Sequence, residues 1–321
     1  MKTKIFSLFF FLFFLCLTVN AQTTGKYVLV IHGGAGGMDE QMPDSLKQLY
    51  LTSLDEALEI GSLIMASGGS SIDAVEKVIN YLEDNPLFNA GKGAVLTSEG
   101  KAEMDAAIMS GKDLSCGSVT GLKTIKNPIS LARAVMEKSP HVFLAGLGAE
   151  KFAKEVGIKS VNPKYFIENN RYEKWIKERN EIKKKKKGTV GAVALDKYGN
   201  LAAATSTGGM SMKKPGRVGD APIIGAGTYA NNKTCAVSCT GWGEKFIKNT
   251  VAFNVSAMME YKNMSLNDAA NEMIHKRLNP NDGGLIAVDK DGNFTLQFNT
   301  QSMLRGFATS DGKREVKIWG K

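Results

Sequence analysis

Two threonines, Thr189 and Thr207, carry the clearest chemical potential in the chain. They end two short apolar runs, 189–196 and 200–207, separated by Lys197, Tyr198 and Gly199. A glycine there suits the left-handed conformation of a tight turn, so the runs read as a β-hairpin. Centred on Tyr198, the hairpin sets Asp196 against Asn200 and, counting back along both strands, Thr189 against Thr207. Such a hydroxyl pair is common as a plain cross-strand contact worth under about 1 kcal/mol. The residues in front of it change its meaning. A cut between Gly188 and Thr189 makes Thr189 an N-terminus. One residue then carries an attacking hydroxyl and an α-amine of ordinary pKa about 7.7–8.0, able to take the hydroxyl proton near neutral pH. That route needs no histidine, and the chain has only three: His32, His141 and His275.

Other reactive types give less. Beyond the first 21 residues the cysteines are Cys116, Cys235 and Cys239, an odd number that closes no disulfide framework. Cys235 and Cys239 sit four apart on a strand-like run, on one face but too far apart to bond easily. No Cys/His cluster has zinc spacing. The glycines after His32 follow a strand, yet lack the Lys-Ser/Thr of a P-loop and the spacing of a dinucleotide fingerprint. They mark a close backbone approach, and His32 is not read as a catalytic base.

The elements that must position these residues follow from periodicity. Residues 26–32 form an apolar strand buried on both faces. Helices are predicted at 44–66, from 71 through Leu82, at 129–138, 148–156, 243–261 and 265–277. Residues 85–93 form a loop. Short strands fall near 94–96, 105–109, 117–121 and 142–145. A second hairpin, 285–289 and 293–298, repeats the Asp-Lys-x-Gly-Asn turn of the first. Hairpin strands with helices packed on them make a layered α/β sandwich.

Length, 321 residues, and 43% hydrophobic composition are those of a globular chain. Residues 1–21 read as a signal peptide: Lys2 and Lys4, an apolar stretch from 5 to 19 too short for a comfortable membrane span, and a small-residue cleavage site ending at Ala21. The expectation is an exported protein, periplasmic or secreted, with no membrane association after signal removal. The net charge of +9 is localised. Ten Lys or Arg against four Glu between 163 and 188 put +6 in one segment, so the rest of the mature chain is nearly neutral. Residues 158–188 lack a strong core pattern and end in Lys183 to Lys187, which reads as a flexible basic linker. The aromatics Tyr165, Phe166, Tyr172 and Trp175 all precede the lysine run rather than interleave with it, so no nucleic-acid partner is expected.

Several ordered segments together resemble one family. They are GTVGAVALD at 188–196, TSTGG at 205–209, KPGRVGD at 214–220, Thr240-Gly241, IHGGAG at 31–36, FNAGKG at 88–93 and MDAAIM at 104–109. The chain resembles the plant-type (type 2) asparaginase/isoaspartyl peptidase family of N-terminal-nucleophile hydrolases, which are threonine peptidases. The resemblance covers nearly all of the chain after residue 21. It implies a four-layer αββα sandwich and self-cleavage before Thr189. The products would be an α chain of residues 22–188 and a β chain of 189–321, two such pairs associating as (αβ)2.

The same resemblance implies roles. Thr189 is the nucleophile and Thr207 orients it. Thr240 and Gly241 supply oxyanion donors, one hydroxyl and one backbone N–H. Arg217 clamps a substrate α-carboxylate and Asp220 an α-ammonium; Val218, Gly219, Trp242 and Gly243 complete the substrate site, and Asn89 faces it. One cation beside one anion fits an amino-acid head, hence L-asparagine or β-aspartyl dipeptides. No cofactor is implied for catalysis. A structural sodium is implied in the loop containing Leu82, Glu83, Asn85, Phe88, Ala90 and Lys92, mostly on backbone carbonyls, a reasonable donor set for a hard cation. The rival within the fold is glycosylasparaginase. Its pattern has Asp before the nucleophile and lacks the His-Gly-Gly-Ala-Gly opening, whereas this chain has Gly188 and has the opening.

Overall fold

Alternation within single strands sets the layering. After Lys26, Leu29 and Ile31 join one apolar cluster while Val28 and Val30 join another. A strand apolar on both faces has to be covered on both. The computed structural model describes residues 25–180 and 188–320 and shows what covers them. In chain order the elements are β1 (Val28–Gly36), α1 (Asp44–Ala66), α2 (Ser71–Asp84), β2 (Met104–Ser110), β3 (Cys116–Leu122), α3 (Pro128–Lys138), β4 (Phe143–Ala145), α4 (Gly146–Glu155), α5 (Asn169–Asn180), β5 (Val190–Leu195), β6 (Leu201–Thr207), β7 (Thr228–Ala230), β8 (Cys235–Gly241), α6 (Gly243–Asn249), α7 (Val251–Lys262), α8 (Leu266–Asn271), β9 (Gly283–Asp289), β10 (Phe294–Phe298), β11 (Ser302–Thr309) and β12 (Arg314–Lys317).

One sheet runs β12-β11-β1-β5-β6-β2-β3-β4 and the other β10-β9-β8-β7. Helices α1 to α4 pack on the outer face of the large sheet, and α7 and α8 on the small one. Strands β1, β5 and β6 meet β8 and β9 between the sheets. The result is the four-layer αββα sandwich. Cys235 and Cys239 face α7 and α8 in the same apolar cluster and are free thiols.

The hairpin register agrees with the count from its turn. Val190 pairs with Ser206 and Leu195 with Leu201, which carries Thr189 opposite Thr207. Asp196 fixes the turn by accepting the Tyr198 and Asn200 N–H groups, each at 2.9 Å, with Gly199 at φ +79°. Asp289 does the same for the β9–β10 turn, accepting from Asp291 and Asn293 at 2.9 and 2.8 Å.

Besides the short strand expected near 94–96, which shrinks to a single bridge between Leu96 and Ala102, three segments differ from the sequence reading. The helix expected over 243–261 breaks at Thr250, which turns left-handed at φ +44°. The break lets the Ala252 and Phe253 N–H groups reach the Ala226 and Gly225 carbonyls at 3.2 and 2.8 Å. The helix over 265–277 widens into a π-turn at Glu272–Arg277, where Asn299 Nδ2 donates to the Ile274 carbonyl at 2.7 Å. The third is the supposed flexible linker. Pro163–Phe166 forms a 3-10 turn and α5 follows, with Phe166 and Trp175 buried in the main core. Trp175 Nε1 donates to the Thr97 carbonyl at 2.8 Å, and its ring stacks on Tyr172. The expectation of flexibility fails here because two aromatic anchors outweigh a highly charged surface. The expected signal segment and Lys183 to Lys187 lie outside the described residues. Among the described residues no helix is long and apolar enough to cross a membrane.

Trp175→Ala removes the main anchor of α5. It is expected to cost about 3 kcal/mol of stability and to open Arg171, Lys174 and Lys177 to trypsin. Thermal melts and limited proteolysis measure the two effects.

Candidate active site

Thr189 stands one residue before β5. Its Oγ1 lies 2.8 Å from the Gly188 carbonyl oxygen and 3.3 Å from Thr207 Oγ1. Thr207 Oγ1 accepts the Gly209 N–H at 2.8 Å and donates to the same Gly188 oxygen at 3.1 Å. Asn89 Nδ2 donates to that oxygen at 2.7 Å and to the Gly209 carbonyl, also at 2.7 Å. The Asn89 amide cannot be flipped without loss, because its Oδ1 accepts the Val95 N–H at 2.9 Å. One peptide carbonyl therefore receives donors from Asn89 and Thr207, while the Thr189 hydroxyl lies against it. Donors aimed at a carbonyl oxygen stabilise the negative charge that grows there when the carbon is attacked. With its own hydrogen on Gly188, Thr207 can accept the hydrogen of Thr189.

The glycines of β1 make room for this bond. The pairing of β1 with β11 shifts register between His32 and Gly34. Gly34 sits at φ +115°, and a Cβ there would lie 3.1 Å from Gly188 Cα and 3.2 Å from Thr189 N. The close backbone approach read from the sequence is thus an approach to the Gly188–Thr189 bond itself. A cleft of about 1040 Å³ opens beside Gly188 between Gly33 to Gly37, Asn89, Arg171, Trp175 and Trp242. His32 is fully buried, and burial pushes its pKa down to about 3. It is neutral at ordinary pH, so it carries no second ring proton to give up there.

Asp220 and Arg217 lie on the loop after β6. Asp220 is buried, and its Oδ2 has no hydrogen-bond partner among the described residues. Burial pushes its carboxyl up to about 7, against the opposing pull of the Arg217 guanidinium. Arg217 turns one edge of its fork to Glu244, Nε to Oε1 at 3.0 Å and Nη2 to Oε2 at 2.8 Å. The plain alternative for these residues, an Arg217–Asp220 ion pair, is not what forms. A Cβ on Gly243 would lie 2.9 Å from both Arg217 Nη2 and Asp220 Oδ1, so glycine there keeps the two charges close. Gly219 likewise leaves space for Arg217 Nη1. Val218 is half-buried, and Trp242 is exposed beneath the Lys245 ammonium. Thr240 is buried and accepts the Ala35 N–H at 3.1 Å, leaving its own hydrogen to donate. Gly241 ends β8 at φ +150°, where a Cβ would strike the Asp282 carbonyl at 2.2 Å.

The loop after α2 has neutral oxygens rather than a carboxylate cage. The Glu83 side chain turns away, accepting Ser206 Oγ at 2.7 Å and the Ile129 N–H at 3.0 Å, and burial raises its pKa to about 8. Lys92 Nζ pairs with Glu168 at 3.2 Å, and Asn85 Nδ2 donates to Ser53 at 2.9 Å. What remains is backbone. A Cβ on Gly91 would lie 2.3 Å from the Glu83 carbonyl oxygen, and one on Gly93 2.1 Å from that of Phe88. Among the described residues no group of three or more His, Cys, Asp or Glu could hold a metal ion. Carbonyl oxygens of this kind suit a hard monovalent cation.

Glu244 was not singled out from the sequence, nor were Ser238 and Thr205, which lie beneath Thr189. Glu244 follows Gly243 directly, but nothing local signals that its partner lies 27 positions away.

Residues 25–318 match the family described as Asparaginase. The chain is 44% identical over 331 residues to a putative isoaspartyl peptidase/L-asparaginase of Dictyostelium discoideum, covering 90% of this chain and 95% of that one. It is 46% identical to the isoaspartyl peptidase of Salmonella typhimurium, covering 88% and 95%. Against the isoaspartyl peptidase/L-asparaginase of Mus musculus it is 43% identical, covering 94% and 93%. The chain belongs to this asparaginase family.

Asp220 gives the site a pH signature. Its folded pKa of about 7 lies above the ordinary 3.8, so the folded chain keeps a proton that the unfolded chain releases. The associated stability is full below about pH 4 and is lost as pH rises through 7. Relative to Asp220→Asn, both in a Thr189→Ala chain that cannot be cut, the unfolding free energy is expected to fall by up to about 1.4 kcal/mol per pH unit across that window. Urea melts from pH 4 to 8 read the difference.

Proposed function

We propose that this enzyme cleaves itself between Gly188 and Thr189 and then hydrolyses β-aspartyl dipeptides and the side-chain amide of L-asparagine. The observation that carries this is the Gly188 carbonyl, which takes hydrogen bonds from Asn89 and Thr207 while the Thr189 hydroxyl lies against it. The curated relatives, named isoaspartyl peptidase or isoaspartyl peptidase/L-asparaginase, cover nearly the whole chain and support the substrate class.

In self-cleavage Thr189 Oγ1 attacks the Gly188 carbonyl carbon and passes its hydrogen to Thr207, which gives its own hydrogen to the Gly188 oxygen. As the carbonyl re-forms and its bond to nitrogen breaks, that hydrogen moves to the nitrogen, so the Gly188 acyl group ends on Oγ1 and the Thr189 amine is freed. Water then hydrolyses the ester, leaving the Gly188 carboxylate. In turnover the amine takes the hydroxyl proton while Oγ1 attacks the β-carbonyl of the substrate. Ammonia or an amino acid leaves with that proton, and water releases the β-aspartyl ester from Thr189. Asp220, with its unpartnered oxygen, receives the α-ammonium. Arg217 offers the α-carboxylate the Nη1 edge that Glu244 does not occupy. Thr240 Oγ1–H and the Gly241 N–H face the oxyanion. Glycosylasparaginase activity has no feature in its favour: residue 188 is Gly and the opening is His-Gly-Gly-Ala-Gly.

Three further parts of the reading rest on sequence and loop chemistry. Residues 1–21 direct export to a periplasm or the exterior. Two α/β pairs associate. A sodium ion sits among the carbonyls of Leu82, Glu83, Asn85, Phe88, Ala90 and Lys92 and stiffens the loop that ends in Asn89, without entering the chemistry.

Purified protein is expected to give two fragments on a denaturing gel, the smaller with Thr189 at its N-terminus. Thr189→Ala is expected to stay whole and to leave β-aspartyl dipeptides intact. Asn89→Ala is expected to slow the cut by about 10²–10³-fold, the usual loss on removing one oxyanion donor, measured by the disappearance of full-length chain. Cutting of Asn89→Ala at the parent rate would remove Asn89 from the self-cleavage step.

A further inference from the structure

A row of buried polar side chains runs beneath Thr189 and takes no part in the reaction described above. His32 Nδ1 lies 3.1 Å from the Thr189 carbonyl oxygen, and its Nε2 lies 3.0 Å from Ser238 Oγ. Ser238 Oγ is 2.7 Å from Thr205 Oγ1, which is 2.7 Å from Thr228 Oγ1. Thr228 Oγ1 also reaches the carbonyl of Ala221, the neighbour of Asp220, at 3.0 Å. The row crosses both sheets, from β1 through β8 and β6 to β7, and all four side chains are inaccessible to solvent.

From His32 to Thr205 the donors in this row have one consistent order. A carbonyl oxygen only accepts, so His32 Nδ1 carries the hydrogen. Burial keeps the ring neutral, and Nε2 is therefore an acceptor. Ser238 donates to it, which leaves Ser238 Oγ to accept from Thr205. Thr228, with one hydrogen, shares it between Thr205 Oγ1 and the Ala221 carbonyl. Each hydroxyl gives one hydrogen, and the order fixes the imidazole tautomer as such partners generally do. Space for the ring comes from Gly191, where a Cβ would lie 2.2 Å from His32 Nε2 and 2.1 Å from Ser238 Oγ.

We propose that His32 is a positioning residue for the nucleophile, its Nδ1–H holding the Thr189 carbonyl while the Ser238 and Thr205 hydroxyls lock the tautomer that can do so. The inference rests on Thr189 being the N-terminal nucleophile. A cut before Thr189 removes its covalent tether on the amino side. The carbonyl becomes the nearest backbone group left to fix the residue, and the hydrogen bond from His32 is what fixes it. Misplacement of a reacting group by about 1 Å can cost about 10²-fold in rate without a comparable loss of substrate binding.

The test has two arms. In the first, kcat and KM for a β-aspartyl dipeptide are measured on processed His32→Leu and His32→Asn. Leucine fills the site without a donor, whereas the asparagine amide can place an N–H where Nδ1 stood. His32→Leu is expected to lose at least about 10-fold in kcat with KM nearly unchanged, and His32→Asn to recover most of it. Equal kcat in His32→Leu and parent, or no recovery in His32→Asn, overturns the proposal. The second arm needs no variant that must fold. In protein carrying ¹⁵N-labelled histidine rings, the His32 resonances are expected to show a neutral ring protonated at Nδ1 that does not titrate down to pH 5. A ring protonated at Nε2, or one titrating near its ordinary pKa, overturns it. Parent protein that is uncut or inactive toward the dipeptide counts against the proposed function instead, and the ring spectrum still decides whether the contact exists.

Discussion

Asn89 and Thr207 hold the Gly188 carbonyl oxygen from two directions while Thr189 lies against it, and much of the surrounding chain exists to allow that contact. The β5–β6 hairpin places Thr207. The loop after α2 places Asn89, whose amide also takes the Gly209 carbonyl and accepts Val95 N–H. The bulge in β1 brings Gly34 against the same peptide, where any side chain would press on Gly188 and Thr189 N. Neutral donors suit such a carbonyl, because they stabilise developing negative charge yet place no full charge beside the uncut peptide.

Stability is given up around this contact. Asp220 Oδ2 is buried with no partner, and an unpaired buried carboxylate is disfavoured until it is protonated or meets a cation. Its raised pKa expresses that cost, and a substrate ammonium would relieve it. Glu83 shows the structural counterpart. It also carries an unpartnered oxygen and a raised pKa, yet it joins α2 to β6 and α3 rather than facing the cleft. The difference lies in the neighbours: the Arg217 guanidinium lies beside Asp220, and the glycines at 219 and 243 let the two approach, whereas Glu83 meets only neutral donors.

What could be read from the sequence was what short-range rules control. The hairpin register followed from one turn, because strand partners alternate in fixed steps, and that alone brought Thr189 to Thr207. The glycine clusters announced close backbone contact. Long-range partners were hidden. Glu244 sits on a different element from Arg217, and only the packed fold brings them together. Helix α5 read as linker because its few apolar side chains are scattered among charges, although Trp175 and Phe166 suffice to dock it. The break at Thr250 is set by the Gly225 and Ala226 carbonyls of a neighbouring loop, which no local pattern in 243–261 reveals.

In the proposed reaction residue 189 is at once a chain terminus and the nucleophile. Acid-quenching the enzyme during turnover of a β-aspartyl dipeptide, followed by peptide mass mapping, tests it directly. A peptide beginning at Thr189 with one aspartyl unit esterified to its hydroxyl is expected. A fully active sample in which residue 189 appears only unmodified, inside a peptide still joined to Gly188, would contradict it.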